Sequence, residues 1–304
     1  MRVAAIDVGT NSTRLLVAEE RPGGFRPIDR RMKITRLGQG VDSTGRLSRE
    51  ALRRTLMTVA DYIAACGEYG VGVVRVTGTS AVRDARNRDE FFDGVTQLTG
   101  RAPELLSGEQ EARATFLGTA SDLAEGPKLV VDIGGGSTEL IVGDRAPERQ
   151  VSLDIGCVRM FEKHLFSDPP STEELESMRA EIRSALEGAK LEVDVSAGAL
   201  LIGVAGTVTQ LATLKAGVPV YDPDVTHHAV MSHGDVRLLA RRLESLPYDQ
   251  RSRIKGLESG RVDVIVAGAE ILLAVMEVFD FAEVLVSERD ILDGLVIQLF
   301  ESGA

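Results

Sequence analysis

Ile6-Asp7-Val8-Gly9-Thr10-Asn11-Ser12 returns in altered form near the middle of the chain as Val131-Asp132-Ile133-Gly134-Gly135-Gly136-Ser137-Thr138-Glu139. In each copy an apolar strand runs into an aspartate, then small and hydroxylated residues, then a second apolar stretch (Arg14 to Ala18; Leu140 to Val142). The pattern reads as a duplicated strand–loop–strand hairpin with a carboxylate at the bend. Two such loops facing each other would clamp an anion such as a phosphate chain.

Around the first loop, strands are expected over 2–8, 13–19 and 25–31, with a shorter one near 33–37 and a turn at Pro22-Gly23-Gly24. Ser48 is placed to cap an amphipathic helix reaching about Cys66. A strand over 71–77 follows. Asn87 with Glu90 suits a capping box for helix 87–99, and Ser107 with Gln110 suits one for helix 108–123. From Lys128 the order restarts: strands 128–133, 138–143 and 149–154, then a helix capped by Ser171 and Glu174. Strand 199–204, helix 207–216, a helix capped by Ser232 and Asp235, helix 261–279, strand 283–287 and helix 289–300 complete the chain. Strands alternating with helices imply α/β domains. The expected division is 1–120 and 121–304, near Gly126-Pro127, with the last helix (289–304) a candidate to pack back on the first domain.

Composition narrows the function. The chain has 304 residues, 43% of them hydrophobic, enough for two ordinary domains. No run approaches the roughly 20 apolar residues that cross a bilayer, and Met-Arg-Val-Ala-Ala-Ile-Asp lacks the pattern of a signal peptide. Two cysteines, Cys66 and Cys157, without metal-type spacing fit a reducing, cytoplasmic setting. A net charge of −11 argues against general nucleic-acid binding. Positive charge for an anionic substrate must then be local, and arginines recur near the loops at Arg14, Arg36, Arg83, Arg86 and Arg113.

Glycine in loop one permits close backbone approach, so successive N–H groups can point at an anion, helped by hydroxyls and Arg14. Asp7 needs a cation between itself and phosphate and is placed to hold hydrated Mg²⁺. The alternative is a tight hairpin capped by Asp7. In loop two, three consecutive glycines are entropically costly, which favours a phosphate cradle, and Asp132 and Glu139 add carboxylates for a metal. Neither loop opens a helix or carries Gly-x4-Gly-Lys-Ser/Thr, so the two commonest phosphate-binding motifs are excluded. A third loop, Gly203-Val-Ala-Gly206-Thr207, opens a helix; it reads equally as an anion-binding turn or as close strand–helix packing. Arg83 and Arg86 could reach phosphates, or flank a solvated helix start. Glu111, in the first turns of its helix, could orient and deprotonate water, or be one of the acidic residues that favour helix N-termini. His164, His227, His228 and His233 form no set with zinc-like spacing and read as solvated or capping residues. Cys157 reads as a small buried residue.

Asp-Val-Gly-Thr-Asn-Ser-x-Arg at 7–14, Thr-Ser-Ala-Val-Arg-Asp-Ala-Arg-Asn at 79–87, Ser-Gly-Glu-Gln-Glu-Ala-Arg at 107–113, Asp-Ile-Gly-Gly-Gly-Ser-Thr-Glu at 132–139, Gly-Val-Ala-Gly-Thr at 203–207 and Val-Ser-Glu-Arg-Asp-Ile-Leu-Asp-Gly-Leu at 286–295 together resemble the exopolyphosphatase / guanosine pentaphosphate phosphohydrolase family. The resemblance spans nearly the whole chain in motif order. It implies two actin-like (ribonuclease H-like) domains with an active-site cleft between them, and Mg²⁺-dependent removal of terminal phosphate from inorganic polyphosphate, guanosine pentaphosphate, or both. K⁺ is a candidate activator and a homodimer the implied assembly. By motif, Glu111 matches the catalytic base and Asp132 and Glu139 the metal-site carboxylates. Asp7, Gly9, Thr10, Asn11, Ser12, Arg83, Gly134, Gly135, Gly136 and Ser137 fall in the phosphate site, with Arg14, Gly206 and Thr207 as further anion-binding candidates. Two departures stand out. The family's paired glutamates read Gln110-Glu111, and Leu292-Asp293 stands where Arg-Glu is frequent. By this resemblance the chain reads as a short, two-domain form, without the helical HD-type domain of long members. Two rivals remain: a phosphotransferase of the same fold, which would need an added acceptor, and a non-enzymatic alarmone or polyphosphate sensor, which would bind without turnover.

Overall fold

The computed structural model describes residues 1–196 and 198–303. The chain divides into two compact units, one formed by 1–121 with the segment from Arg289 onward, the other by Asp122–Glu288. The C-terminal helix therefore belongs to the first unit.

The first unit contains β1 (Arg2–Val8), β2 (Ser12–Arg21), β3 (Gly24–Ile34), α1 (Val41–Thr44), α2 (Arg49–Glu68), β4 (Val73–Gly78), α3 (Ser80–Asp84), α4 (Arg88–Thr99), β5 (Glu104–Leu105) and α5 (Gly108–Ala120). Its sheet runs β3-β2-β1-β4-β5; β1–β2–β3 is antiparallel, whereas β4 and β5 join in parallel. The central strand β1 buries both faces, which is why it reads as a continuous apolar run over Val3–Ile6 before Asp7. Ala4, Ile6 and Val8 join the cluster formed with α2 and α4, and Val3 and Ala5 join a second cluster on the opposite face.

The second unit contains β6 (Lys128–Ile133), β7 (Thr138–Gly143), β8 (Pro147–Leu153), α6 (Cys157–His164), α7 (Thr172–Ala189), β9 (Leu200–Val204), α8 (Ala205–Ala216), α9 (Pro223–Thr226), β10 (Val230–Ser232), α10 (His233–Glu244), α11 (Tyr248–Arg251), a 3₁₀ turn at Ser259–Arg261, α12 (Ile265–Val278) and β11 (Glu283–Val286). Its sheet order is β10-β11-β9-β6-β7-β8. The antiparallel β6–β7–β8 run, with β9 parallel to β6, repeats the layout of the first sheet.

After the second unit, α13 (Ile291–Glu301) returns to the first. Ile291, Leu292, Leu295, Val296 and Leu299 complete the cluster around Val3, Ala5, Leu16 and Ala18. Two glycines let α13 meet α5 at backbone distance: a Cβ on Gly294 would sit 1.8 Å from the Ala114 carbonyl oxygen, and one on Gly118 would sit 2.0 Å from that of Asp290.

Several local expectations change. Asn87 does not cap α4 with its side chain; its Oδ1 accepts from the Leu47 N–H at 2.8 Å and its Nδ2 donates to the Leu47 carbonyl at 3.1 Å. The Ser107–Gln110, Ser171–Glu174 and Ser232–Asp235 capping boxes are all formed. Helix α5 stops at Ala120, short of the expected 123, and the Ser121 hydroxyl bonds the Gly118 carbonyl at 2.6 Å. The helix expected from 261 starts at Ile265, after the 3₁₀ turn. Helix α6 has no side-chain cap to mark it in the sequence.

Candidate phosphate-binding and hydrolytic site

In the first unit, loop one is the bend between β1 and β2. The Gly9 N–H bonds the Ser12 carbonyl at 2.9 Å and closes the turn. The Thr10 carbonyl accepts from Gly38 at 2.9 Å, and the Asn11 carbonyl accepts from Thr35 and Arg36 at 3.0 and 2.8 Å. A trans peptide sets each carbonyl antiparallel to the following N–H, so tying down the Thr10 oxygen turns the Asn11 amide to the opposite side. Arg36 makes its contact at φ 49, a left-handed conformation rarely tolerated by a side chain of its length. The Thr10 and Ser80 hydroxyls bond each other at 3.0 Å. The Asn11 side chain is 6% exposed, and its Oδ1 and Nδ2 both lack a hydrogen-bond partner among the described residues. A buried amide in that state costs roughly 1–3 kcal/mol, the kind of deficit that a polar ligand relieves.

Asp7, 1% exposed, lies opposite Arg14 in the β1–β2 register. Its Oδ2 accepts from Arg14 at 2.7 Å, while the Thr77 hydroxyl approaches Oδ1 at 3.4 Å. Burial raises the Asp7 pKa above its ordinary value, and Arg14 opposes that rise. Arg14 also donates to Asp290, the N-cap of α13, and Arg30 donates to Asp293 at 2.6 Å in the same network. Arg14 thus spends its charge on carboxylates, and Asp7 already has a cation beside it.

Glu111, 9% exposed, lies in the first turns of α5, whose position the Ser107–Gln110 capping box fixes. Arg83, at the end of α3, donates to the Leu106 carbonyl at 2.9 Å and to Glu111 Oε2 at 3.3 Å. Two candidate residues from separate motifs are thereby brought together. The Arg86 guanidinium packs against Gly45, and Arg113 is exposed.

In the second unit, the β6–β7 register sets Asp132 directly opposite Glu139. They are 6% and 1% exposed, and the Ser152 hydroxyl donates to Glu139 Oε1 at 2.8 Å. Like charges facing each other across a sheet are destabilising, and buried ones more so. A hard divalent cation offsets that repulsion, and one or two carboxylates plus substrate oxygens are the usual Mg²⁺ environment. This pair fits such an ion better than Asp7 does.

Loop two joins the two strands, and all three glycine carbonyls are engaged on one side. The Cys157 N–H donates to Gly134 at 2.9 Å, Val158 and Arg159 donate to Gly135 at 2.9 and 3.1 Å, and Arg159 Nε donates to Gly136 at 2.8 Å. The same trans-peptide geometry aims the N–H groups of Gly135, Gly136 and Ser137 away from α6. Successive N–H groups turned to one side are the arrangement from which anion-binding concavities are built. The close approach requires glycine: a Cβ on Gly156 would lie 2.3 Å from the Gly135 oxygen.

Loop three shows both of its expected faces. Gly203 is a packing glycine, its Cβ position 2.7 Å from Val208 Cγ1. Gly206 lies against the buried Arg261 guanidinium, where a Cβ would come within 2.0 Å of Nη2, and Thr207 abuts Gly268. Ala205 between them holds φ 64, strain that accumulates at functional turns. Arg261 did not stand out in the sequence, because only the folded chain brings it to Gly206. Cys157 is buried, and burial raises its thiol pKa against the lowering effect of Arg261.

The Ppx/GppA phosphatase family model matches residues 16–302. The chain belongs to the Ppx/GppA phosphatase family. Its fold is the two-domain α/β, actin-like ATPase type of that family. A protein named exopolyphosphatase 2, from Mycobacterium tuberculosis, is 39% identical over 98% of both chains. A guanosine-5'-triphosphate,3'-diphosphate pyrophosphatase from Aeromonas salmonicida is 28% identical over 97% of this chain, which spans 59% of that relative. The crystallised Aquifex aeolicus member of the Ppx/GppA family matches with a TM-score of 0.85 at 33% identity, covering 100% of this chain and 98% of that one. Phosphoryl-transfer enzymes of the Ppx/GppA kind generally need a divalent metal. No helix among the described residues is long and apolar enough to cross a membrane.

Proposed function

We propose that this chain is a phosphoanhydride hydrolase that removes terminal phosphate from inorganic polyphosphate, short chains foremost, from guanosine pentaphosphate, or from both. The observation that carries the reading lies within the second unit: two buried carboxylates in direct register flank a loop whose glycine carbonyls are all turned to one side. Such a loop binds the anion through backbone N–H groups, with Gly134 to Ser137 as its backbone and Gly206 and Thr207 of loop three as further contacts. Mg²⁺ is the ion best suited to Asp132 and Glu139, and it would neutralise phosphate oxygens there. From the first unit, Gly9 to Ser12 supply donors, with Asn11 as the side chain in need of a partner. Arg14 holds Asp7, and Asp7 serves an ion only through its Oδ1 side. Glu111 orients the attacking water and takes its proton, while Arg83 keeps that carboxylate in place. The gain comes from positioning and charge stabilisation, as is general for phosphoryl transfer.

K⁺ activation, a homodimeric assembly and a cytoplasmic location complete the proposal. The test is phosphate release from short polyphosphate, long polyphosphate and guanosine pentaphosphate, with and without Mg²⁺ and K⁺, and with no acceptor added. Acceptor-free, Mg²⁺-dependent release from wild type and its loss in Glu111→Gln, with thermal unfolding unchanged, is the expected result. Near-wild-type release by a well-folded Glu111→Gln protein refutes the role given to Glu111. Release only upon addition of an acceptor would make the chain a transferase.

A further inference from the structure

The four histidines lack zinc-like spacing in sequence, yet folding gathers two of them with an aspartate about a hundred residues away. His227 Nε2 lies 2.9 Å from Asp122 Oδ2, and His228 Nε2 lies 3.6 Å from the same oxygen. One donor atom from each of the three residues falls within 4.8 Å of the others. The two rings stack with centroids 3.9 Å apart, inclined by 28°. His228 adopts φ 61 to reach that position, a left-handed backbone that a residue with a side chain takes up only under strain.

We propose that Asp122, His227 and His228, none of them a residue of the phosphate loops, form a binding site for a borderline divalent cation of the zinc class, argued independently of how those loops are read. Donors bound to tetrahedral Zn²⁺ at about 2.0–2.2 Å stand about 3.3 Å from one another, and the 2.9 and 3.6 Å separations bracket that spacing. Two imidazoles and one carboxylate select zinc, cobalt or nickel over Mg²⁺ or Ca²⁺, which prefer oxygen. Three protein ligands leave a fourth position for water, and the His228 side chain is 41% exposed, giving the ion a route in.

The site also has a structural consequence. Asp122 opens the second unit and Glu288 closes it. The Glu288 N–H donates to His227 Nδ1 at 3.2 Å, so one imidazole spans both ends of the unit. In that arrangement His227 carries its proton on Nε2 and donates it to Asp122. An ion on Nε2 displaces that proton through solvent, and the neutral ring is reprotonated at Nδ1. The contact from Glu288 is then given up, a loss of one hydrogen bond that a bound transition metal outweighs. The ion would replace a hydrogen-bonded clasp with a coordinated one.

The test uses the full chain, stripped with chelator and held in excess Mg²⁺ so that the oxygen-rich carboxylates are occupied. Co²⁺ is titrated as the visible probe and Zn²⁺ as its competitor. The expected result is one saturable Co²⁺ per chain, displaced by Zn²⁺, with a rise in unfolding temperature. Asp122→Asn and His228→Asn (asparagine tolerates a left-handed backbone) should each weaken binding by about tenfold or more without changing Mg²⁺-supported phosphate release. Unaltered Co²⁺ affinity in both variants would place the ion elsewhere and overturn the assignment, as would the absence of saturable binding to wild type in the micromolar range.

Discussion

Gly156→Ala adds a single methyl group at the point where α6 meets loop two. The new Cβ would lie 2.3 Å from the Gly135 oxygen, 2.4 Å from the Gly135 carbonyl carbon and 2.5 Å from that of Gly136. Ordinary contact begins at 3.4 Å, so the two backbones must part by about an ångström. Neither is a flexible side chain that could swing aside. Overpacking of this kind costs about 1–3 kcal/mol. The same shift stretches the bonds from Cys157 and Val158 that hold the Gly134 and Gly135 carbonyls and misaims the N–H groups behind them. A displacement of about 1 Å in a positioning group lowers turnover by ~10²-fold. The assay pairs phosphate release from short polyphosphate with chemical unfolding. Gly188→Ala is the control, because this exposed glycine near the end of α7 has open space around its Cβ position and should gain ~0.5–1 kcal/mol with activity unchanged. Wild-type turnover by Gly156→Ala, alongside a clear loss of stability, would show that loop two does not need the orientation set by α6. Unaltered stability would show that the two backbones are less tightly joined than described.

Two further changes probe separate parts of the molecule. Arg159→Ala removes the charge-assisted bond to the Gly136 carbonyl, of a type contributing ~1.5–3 kcal/mol; KM for polyphosphate should rise by about tenfold or more, with partial recovery in Arg159→Lys, and an unchanged KM would remove Arg159 from loop positioning. The hydrogen bond from Lys215, with the Ser232 cap, holds the Asp235 carboxyl down to about 2 from its ordinary 3.8. Its stabilisation is complete above pH 3.8 and is lost as pH falls through about 2. The stability difference between wild type and Asp235→Asn, followed by urea unfolding, should therefore shrink across that window, and a constant difference would contradict the linkage.

Where function depends on neighbours in sequence, it can be read before folding. The Asp132–Glu139 pairing follows from a hairpin whose strands alternate about a short bend, and the capping boxes follow from three-residue spacings. Long-range geometry is harder to foresee. Asn87 carries the composition of a cap but is recruited by Leu47, forty positions earlier. Helix α6 is short, and its first N–H groups are satisfied by the carbonyls of loop two rather than by a side-chain cap, so nothing local announces it. The Arg83–Glu111 ion pair joins two motifs that were found separately. The histidines carry no zinc-like spacing along the chain, and the aspartate that folding sets beside His227 lies 105 positions away. Ala205 and His228 carry positive φ without being glycine, a strain that composition does not reveal.

The last helix supplies five apolar side chains to the sheet that begins at the second residue. During synthesis, the amino-terminal lobe cannot complete that face until α13 has left the ribosome, whereas the lobe inserted within it is continuous and can close first. The usual vectorial order, in which the earliest residues finish first, is reversed here. Until α13 emerges, Val3, Ala5, Leu16 and Ala18 lack the five apolar side chains that complete their cover.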